Sequence, residues 1–324
     1  EEKSSPNPAA ATLELIPNNS EMESKPVCFE IEFYEEDGEN HKFKIHYELE
    51  VDLGTFLEEE YQRKILAEVL EVNGERVFER TQDLKIENLK VIKDYLSDIT
   101  EQNAESVNEI AKNSLNQEEL FLTNGFKLIF SPKFTKLMVD WFTNKFMVIY
   151  RADSMQLIKR FADPKKKAIY VEKTTDEAAK LFGINSNAVG YVVSDDEPDA
   201  KLYSVFKNMK NKKTTAVAAD FFESYGTIRF INMFPLVIKA MQTGGTLVVD
   251  EFDASIHPMA LMSIINVFHN DDVNIHHAQL IFNTHNPIFL NSNFFRRDEI
   301  KFVERDDDTH DSVLYALSDF GTTG

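Results

Sequence analysis

Apolar and polar positions are arranged in different ways along this chain, and each arrangement predicts a different kind of element. Residues 1–26 are polar and punctuated by Pro6, Pro8, Pro17 and Pro26, the pattern of a linker or a frayed strand flank. Beyond them Val27, Phe29, Ile31 and Phe33 take every second position, as do Phe43, Ile45, Tyr47, Leu49 and Val51. A period of two turns one face of a strand inward, so two strands are predicted, with EEDGEN at 35–40 as the turn. Two more short strands, around Ile65–Glu71 and Arg76–Arg80, flank Asn73-Gly74, a dipeptide suited to a tight hairpin turn. Residues 1–84 therefore read as a linker and an antiparallel β-subdomain.

Near residue 85 the period lengthens. Leu89, Ile92, Leu96 and Ile99 recur at helical spacing, and Val107, Ile110 and Leu115 do so less cleanly. Phe134, Leu137, Met138, Trp141, Phe142 and Phe146 predict a helix over Lys133–Arg151 whose aromatics serve as core. With a further helix over Thr175–Phe182, residues 85–215 read as a mainly helical insert.

The last third, 216–324, has another grammar. Tyr225–Met241 predicts a helix carrying Pro235 and stopped by Gly244-Gly245. Thr246–Val249 is a short apolar run of the kind buried on both faces of a parallel sheet. A helix from His257 to His269 and a second buried strand, Gln279–Asn283, complete a strand–helix–strand unit. Glu299–Glu304 and Ser312–Leu317 read as two closing strands. The fold class is α/β.

Composition narrows the setting. The 324 residues are 43% hydrophobic, enough for a substantial core. The single cysteine, Cys28, excludes a disulfide framework and a multi-cysteine zinc site, and fits a cytoplasmic location. No run approaches the ~18 consecutive apolar residues of a membrane span, so no membrane partner is expected. A formal net charge of −20 disfavours broad, non-specific nucleic-acid binding. Basic residues cluster at Lys159, Arg160 and Lys165–Lys167, and at Lys207, Lys210, Lys212 and Lys213. Solvated loop charge and a patch contacting nucleic acid or a partner protein are both open readings of them.

Chemistry concentrates in TLVVDEFDASIHP, residues 246–258. An apolar strand ending in Asp250-Glu251 places two carboxylates at the carboxyl edge of the sheet, where α/β proteins bind ligands. One can hold the shell of a Mg2+ ion while its neighbour polarises a water; an ordinary acidic turn is the plain alternative. Upstream, ESYGTIRF at 223–230 sets Ser224 at a helix N-cap and Gly226 in its first turn. That is either plain capping or a cradle for phosphate, whose oxygens the free N–H groups and the helix dipole attract. Downstream, QLIFNTH ends in His285, a structural partner for backbone or a group reaching a terminal phosphate.

In this order the motifs resemble those of ABC-type ATPases, in the SMC-like branch that includes the OLD-type and related AAA-class prokaryotic ATPases. Ser224, Gly226, Thr227 and Arg229 match that branch's Ser-x-Gly-Thr-x-Arg signature. The resemblance assigns Asp250 to Walker B and metal holding, Glu251 to the catalytic glutamate, Asp253-Ala254-Ser255 to the D-loop and His285 to the switch histidine. RRDEIKFVERDDDTHDSVLYALSDF at 296–320 resembles the family's closing strands, and KPVCFEIEF and EVNGERVFER its β-subdomain. The likeness is close over the last third, partial over 1–84 and slight between.

What the resemblance implies is an ABC-type P-loop NTPase head with an antiparallel β-subdomain and an inserted helical lobe. Its ligands would be ATP and Mg2+, with ATP sandwiched in a homodimer or higher homo-oligomer. Ser224, Gly226, Thr227, Arg229, Asp253 and Ser255 would bind nucleotide, and Glu251 and His285 would act in hydrolysis. Stand-alone members resemble ATPase subunits of prokaryotic phage-defence systems (Septu, PARIS and abortive-infection types), in which a separate nuclease or toxin is the effector. The pattern departs from the family in one place. No G-x-x-x-x-G-K-S/T occurs, and the phosphate loop is expected in sequence lying before the residues given, with both ends of the natural protein beyond them. A DNA-maintenance ATPase of the SMC type is the alternative, but 85–215 is too short and irregular for coiled-coil arms. A non-hydrolysing scaffold that kept the fold is the other.

Overall fold

Alternation at the start of the chain becomes a meander. Strands β1 (Val27–Glu36), β2 (Lys42–Asp52), β3 (Lys64–Val72), β4 (Glu75–Arg80) and β5 (Leu84–Ile86) pair antiparallel in sequence order. The register sets Phe33 opposite Ile45 and Tyr47 opposite Leu70, and all four are buried. Asn73 and Gly74 both take left-handed backbone (φ 54° and 83°), which turns β3 into β4 with the twist a two-residue hairpin needs.

These coordinates are a computed structural model that describes residues 26–52, 64–96, 109, 111–113, 115–149, 168–170, 188–194, 197–207, 210, 213–308 and 311–321. They divide into two compact units, Glu1–Asp140 with Asp298–Gly324, and Trp141–Arg297. In the first unit, helices α1 (Phe126–Ile129) and α2 (Pro132–Asp140) and 3-10 turns over Leu89–Tyr95 supply aromatic rings to the sheet. Phe78 meets Phe126 edge-on at 6.2 Å, Phe43 meets Tyr95 at 5.1 Å, and Phe126 stacks near Phe134 at 5.8 Å. Phe134 and Met138 are core, as their spacing predicts.

Two buried carboxylates tie this unit together. Glu68 accepts hydrogen bonds from the backbone N–H groups of Phe121 (2.7 Å) and Leu122 (2.9 Å) and from the Tyr47 hydroxyl (3.0 Å). Arg80 stands 3.5 Å from it and donates onward to the carbonyls of Glu119 and Asn116. Burial, then the charge and hydrogen bond of Glu68, pushes the Tyr47 phenol well above its usual range. Asp37 accepts from the Tyr95 hydroxyl and, more weakly, from His41 and the backbone of Glu39, with Lys133 at 3.2 Å. The Tyr95 bond leads the causes that hold the Asp37 carboxyl far below its ordinary value, against the opposing effect of burial.

The second unit holds β6 (Phe146–Ile149), β7 (Ala168–Tyr170), β8 (Ala188–Ser194), β9 (Glu197–Lys207), β10 (Thr214–Ala218), α3 (Tyr225–Thr243), β11 (Thr246–Val249), α4 (Pro258–His269) and β12 (Gln279–Phe282). A three-stranded parallel sheet in the order β12-β11-β6 carries α3 and α4 on one face, with Leu247, Val249, Phe230, Leu236, Leu261 and Ile265 among the core. The other strands form an antiparallel sheet, β10-β9-β8-β7.

Three expectations change here. The predicted helix over Lys133–Arg151 stops at Asp140; a π-turn over Trp141–Lys145 leads straight into β6. Four consecutive apolar residues, Phe146–Ile149, satisfy a buried helix and a buried strand equally, and pairing with β11 decides for the strand. The insert over 85–215 is not mainly helical in its described residues, which carry β6 through β9 and the start of β10. β-branched runs such as AVGYVVS at 188–194 are short and interrupted, so charged surroundings hid them. The run predicted as Thr175–Phe182 and the basic residues at 159–167 lie outside the described residues.

The parallel strands are also not buried on both faces: Val148 is 49% and Ile281 55% exposed among the described residues. The closing hairpin, β13 (Lys301–Arg305) with β14 (Ser312–Ala316), forms where predicted but groups with the first unit. No helix among the described residues is long and apolar enough to cross a membrane.

Replacing Glu68 by Ala strands three donors and Arg80 in the core, and is expected to cost about 3–5 kcal/mol in denaturant titration. The depressed Asp37 carboxyl stabilises the fold fully above its unfolded-state value near ~4 and less as pH falls below it. The stability gap between wild type and Asp37→Asn should accordingly be wide in urea titrations at pH 7 and narrower at pH 2, without closing there.

Candidate functional site

Strand β11 ends at Val249, and the turn that follows is held at several points. The Asp250 N–H donates to the Ile149 carbonyl at the end of β6 (2.7 Å). The Asn283 N–H donates to the Val249 carbonyl (3.3 Å), and the Phe252 N–H returns to the Asn283 carbonyl (3.1 Å). Phe252 is fully buried with its ring 4.6 Å from that of Phe282, so the turn is pinned into the core one residue beyond Glu251. Asp250 and Glu251 thus stand side by side at the carboxyl edge of the parallel sheet, Asp250 half-buried and Glu251 exposed.

Glu251 adopts φ 48°, left-handed backbone that costs a residue with a Cβ about 1–3 kcal/mol. Its two peptide groups explain why the conformation holds. The Glu251 N–H donates to Asn283 Oδ1 at 2.6 Å, and the Glu251 carbonyl accepts from Arg229 Nη2 at 2.6 Å. Arg229 also reaches the Asp250 carbonyl at 3.3 Å, while Asn283 Nδ2 donates to Asp250 Oδ1 at 2.5 Å.

Arg229, expected among the nucleotide-binding residues, packs into its own unit. It is 2% exposed, on the inward face of α3, and its guanidinium serves backbone carbonyls of its own unit. Burial holds its pKa below the ordinary value, against the opposing pull of Tyr225, Glu251, Asp253 and Asp250. The arithmetic of the helix explains the placement: with Ser224 as N-cap, position 229 falls on the stripe shared with Phe230 and Met233.

The start of α3 is built as its sequence predicts. Ser224 Oγ accepts from the Thr227 N–H at 3.1 Å and lies 2.8 Å from the Thr227 hydroxyl. Gly226 packs on the turn after β11: a Cβ there would stand 2.0 Å from the Ser255 carbonyl oxygen. Ser255 itself has φ 63°. Ser224, Gly226, Thr227 and Ser255 join Ile256, His257 and Met259 around an open cavity of about 430 Å³. Asp253, half-buried, lies in the same turn.

The nine expected residues therefore form two groupings, with three residues outside them: Asp253, Arg229 and His285. Asp250 and Glu251 make the strand-end pair; Ser224, Gly226, Thr227 and Ser255 meet at the cavity; Asp253 lies between them in sequence, and Arg229 is interior. His285 is exposed on the turn after β12, where Thr284 Oγ1 caps Asn286 N–H at 3.0 Å; no hydrogen bond or ion pair among the described residues joins it to the pair. Asn283 is the residue that sequence reading passed over. A polar residue directly after an apolar strand, on the edge that bears the acidic pair, was the available signal.

Histidines with carboxylates also gather on the first unit, at Glu30–His46–Glu48 and Asp37–Glu39–His41. Burial works to lower the His46 pKa, but hydrogen bonds to Glu71 (3.4 Å) and Glu30 (3.0 Å), with the charges of Glu48 and Glu30, together outweigh it and raise the pKa. In each cluster the histidine faces its own carboxylates, across the paired strands β1 and β2 for His46 and within the turn that joins them for His41.

A parallel sheet with paired carboxylates beyond one strand end and a capped helix start beside it defines this unit as an α/β domain. Residues 19–291 match the family described as "AAA domain, putative AbiEii toxin, Type IV TA system", and the chain belongs to that family of AAA-class ATPase domains. No curated protein matches the chain.

Gly226→Ala forces its new methyl onto the Ser255 carbonyl; stability should fall by about 1–3 kcal/mol in urea titration.

Proposed function

We propose that the chain is the signature and Walker B portion of an ABC-type, P-loop ATPase head that hydrolyses ATP and works as a nucleotide-driven dimerisation switch. The observation that carries the reading is the Asp250–Glu251 pair fixed at the carboxyl edge of the sheet, with backbone bonds on both sides of Glu251. The family match supports the ATPase class.

Asp250 keeps its second carboxylate oxygen beyond the one that accepts from Asn283, which suits a hard divalent cation such as Mg2+. When bound, the ion would neutralise charge building on the phosphates. Glu251, exposed beside it, orients a water and takes its proton. The water oxygen bonds to the terminal phosphorus as the bond to the bridging oxygen breaks, releasing ADP and phosphate. His285 contacts the terminal phosphate from the neighbouring strand end.

Ser224, Gly226 and Thr227 present the N-terminus of α3 to the nucleotide of a second head, with Asp253 and Ser255 alongside. Apolar side chains at this end support a surface that another copy covers: Phe221 is 88% exposed, and Tyr225 and Met259 are exposed as well. Binding of ATP and closure of the homodimer then become one event. A separate nuclease or toxin reads the switch in anti-phage defence; the family description, which links such domains to a toxin–antitoxin system, supports a partnered system.

ATP turnover by the full-length protein, beside Glu251→Gln, tests the reading. Wild type is expected to hydrolyse ATP, and the variant to fall at least ~100-fold while retaining ATP and accumulating dimers in light scattering. Neither turnover nor ATP binding in either protein would overturn it.

A further inference from the structure

Asn283 touches both carboxylate-bearing residues of the strand-end turn and belongs to neither expected motif. Its orientation is set by its partners. The Glu251 N–H is a donor, so the amide oxygen faces it; the Asp250 carboxylate is an acceptor, so the amide nitrogen faces that. Both contacts are short, at 2.6 and 2.5 Å, and the Asn283 main chain is itself locked to Val249 and Phe252. One side chain therefore continues the β11–β12 ladder past the end of the strands.

We infer that Asn283 is the positioning residue of the hydrolytic turn: it couples Asp250 to Glu251 so that the two carboxylates are set as one unit. The inference rests on the reading of that pair as the ATPase centre. Arg229 braces the same turn from the opposite side through the carbonyls of Asp250 and Glu251. Together they hold both peptide groups of a left-handed Glu251. By occupying Oδ1 of Asp250, the Asn283 amide also decides which oxygen faces a cation.

Among side chains of this length only an amide meets both demands. Ala supplies neither contact. Asp retains an acceptor for the Glu251 N–H but loses the donor and sets a second carboxylate against Asp250, where neighbouring like charges raise each other's pKa. These two substitutions thus separate the two bonds.

The experiment compares full-length wild type, Glu251→Gln, Asn283→Ala and Asn283→Asp by kcat, KM for ATP, Mg2+ half-activation, pH–rate profile and thermal melt. Asn283→Ala is expected to lower kcat by about 10–100-fold with KM for ATP changed less than about twofold. Asn283→Asp is expected to move the acidic limb of the profile upward and to shift Mg2+ half-activation. The profile compares a protein with itself across pH, so it stays informative where Asn283→Ala folds poorly. If wild type turns over ATP and Glu251→Gln does not, yet Asn283→Asp leaves the acidic limb and Mg2+ dependence unchanged, the inference fails alone. If wild type fails to turn over ATP, or Glu251→Gln matches it, the reading beneath fails and the inference goes with it.

Discussion

A glutamate in left-handed backbone conformation is the constraint on which the second unit turns. Glu251 reaches that conformation because β11 must end abruptly: Asp250 still completes the ladder to β6, while Phe252 is already in the core. Between those anchors the chain has one residue in which to change direction. The local strain is offset by bonds from Asn283 and Arg229, on elements far apart in sequence. The geometry of the acidic pair is thus a tertiary property, assembled only once α3 and β12 have docked.

Much of this was legible in the chain because it depends on local rules. Period-two alternation gave β1 and β2, Asn73-Gly74 gave the hairpin, and Ser224 and Gly244 bound α3 at both ends. Paired carboxylates after an apolar run located the candidate site. What stayed hidden depends on partners distant in sequence. Phe146–Ile149 becomes a strand because β11 lies beside it, and Arg229 turns inward because two carbonyls wait there. The signature likeness sets Arg229 among the nucleotide-binding residues, while the helix register places it on the buried face of α3. The FNTH run does set a polar residue at the strand end, but which groups Asn283 bridges depends on the turn after β11, which packing brings beside it.

The same logic runs through the first unit with different chemistry. There a buried carboxylate, Glu68, gathers loop N–H groups from 121–122, and Arg80 gathers loop carbonyls from 116 and 119. In the second unit an amide and a guanidinium do the gathering. Both solve one problem: ends of strands and turns present unpaired backbone groups, and each pairing is left to a side chain that long-range packing brings into reach.

The closing hairpin carries a consequence for biosynthesis. The first unit draws its members from Glu1–Asp140 and again from Asp298–Gly324, whereas the second is continuous over Trp141–Arg297. A ribosome therefore releases every residue of the later-starting unit before the earlier-starting one has its last strands. Any contact that β13 and β14 make within the first unit thus forms only after the whole parallel-sheet unit has left the ribosome.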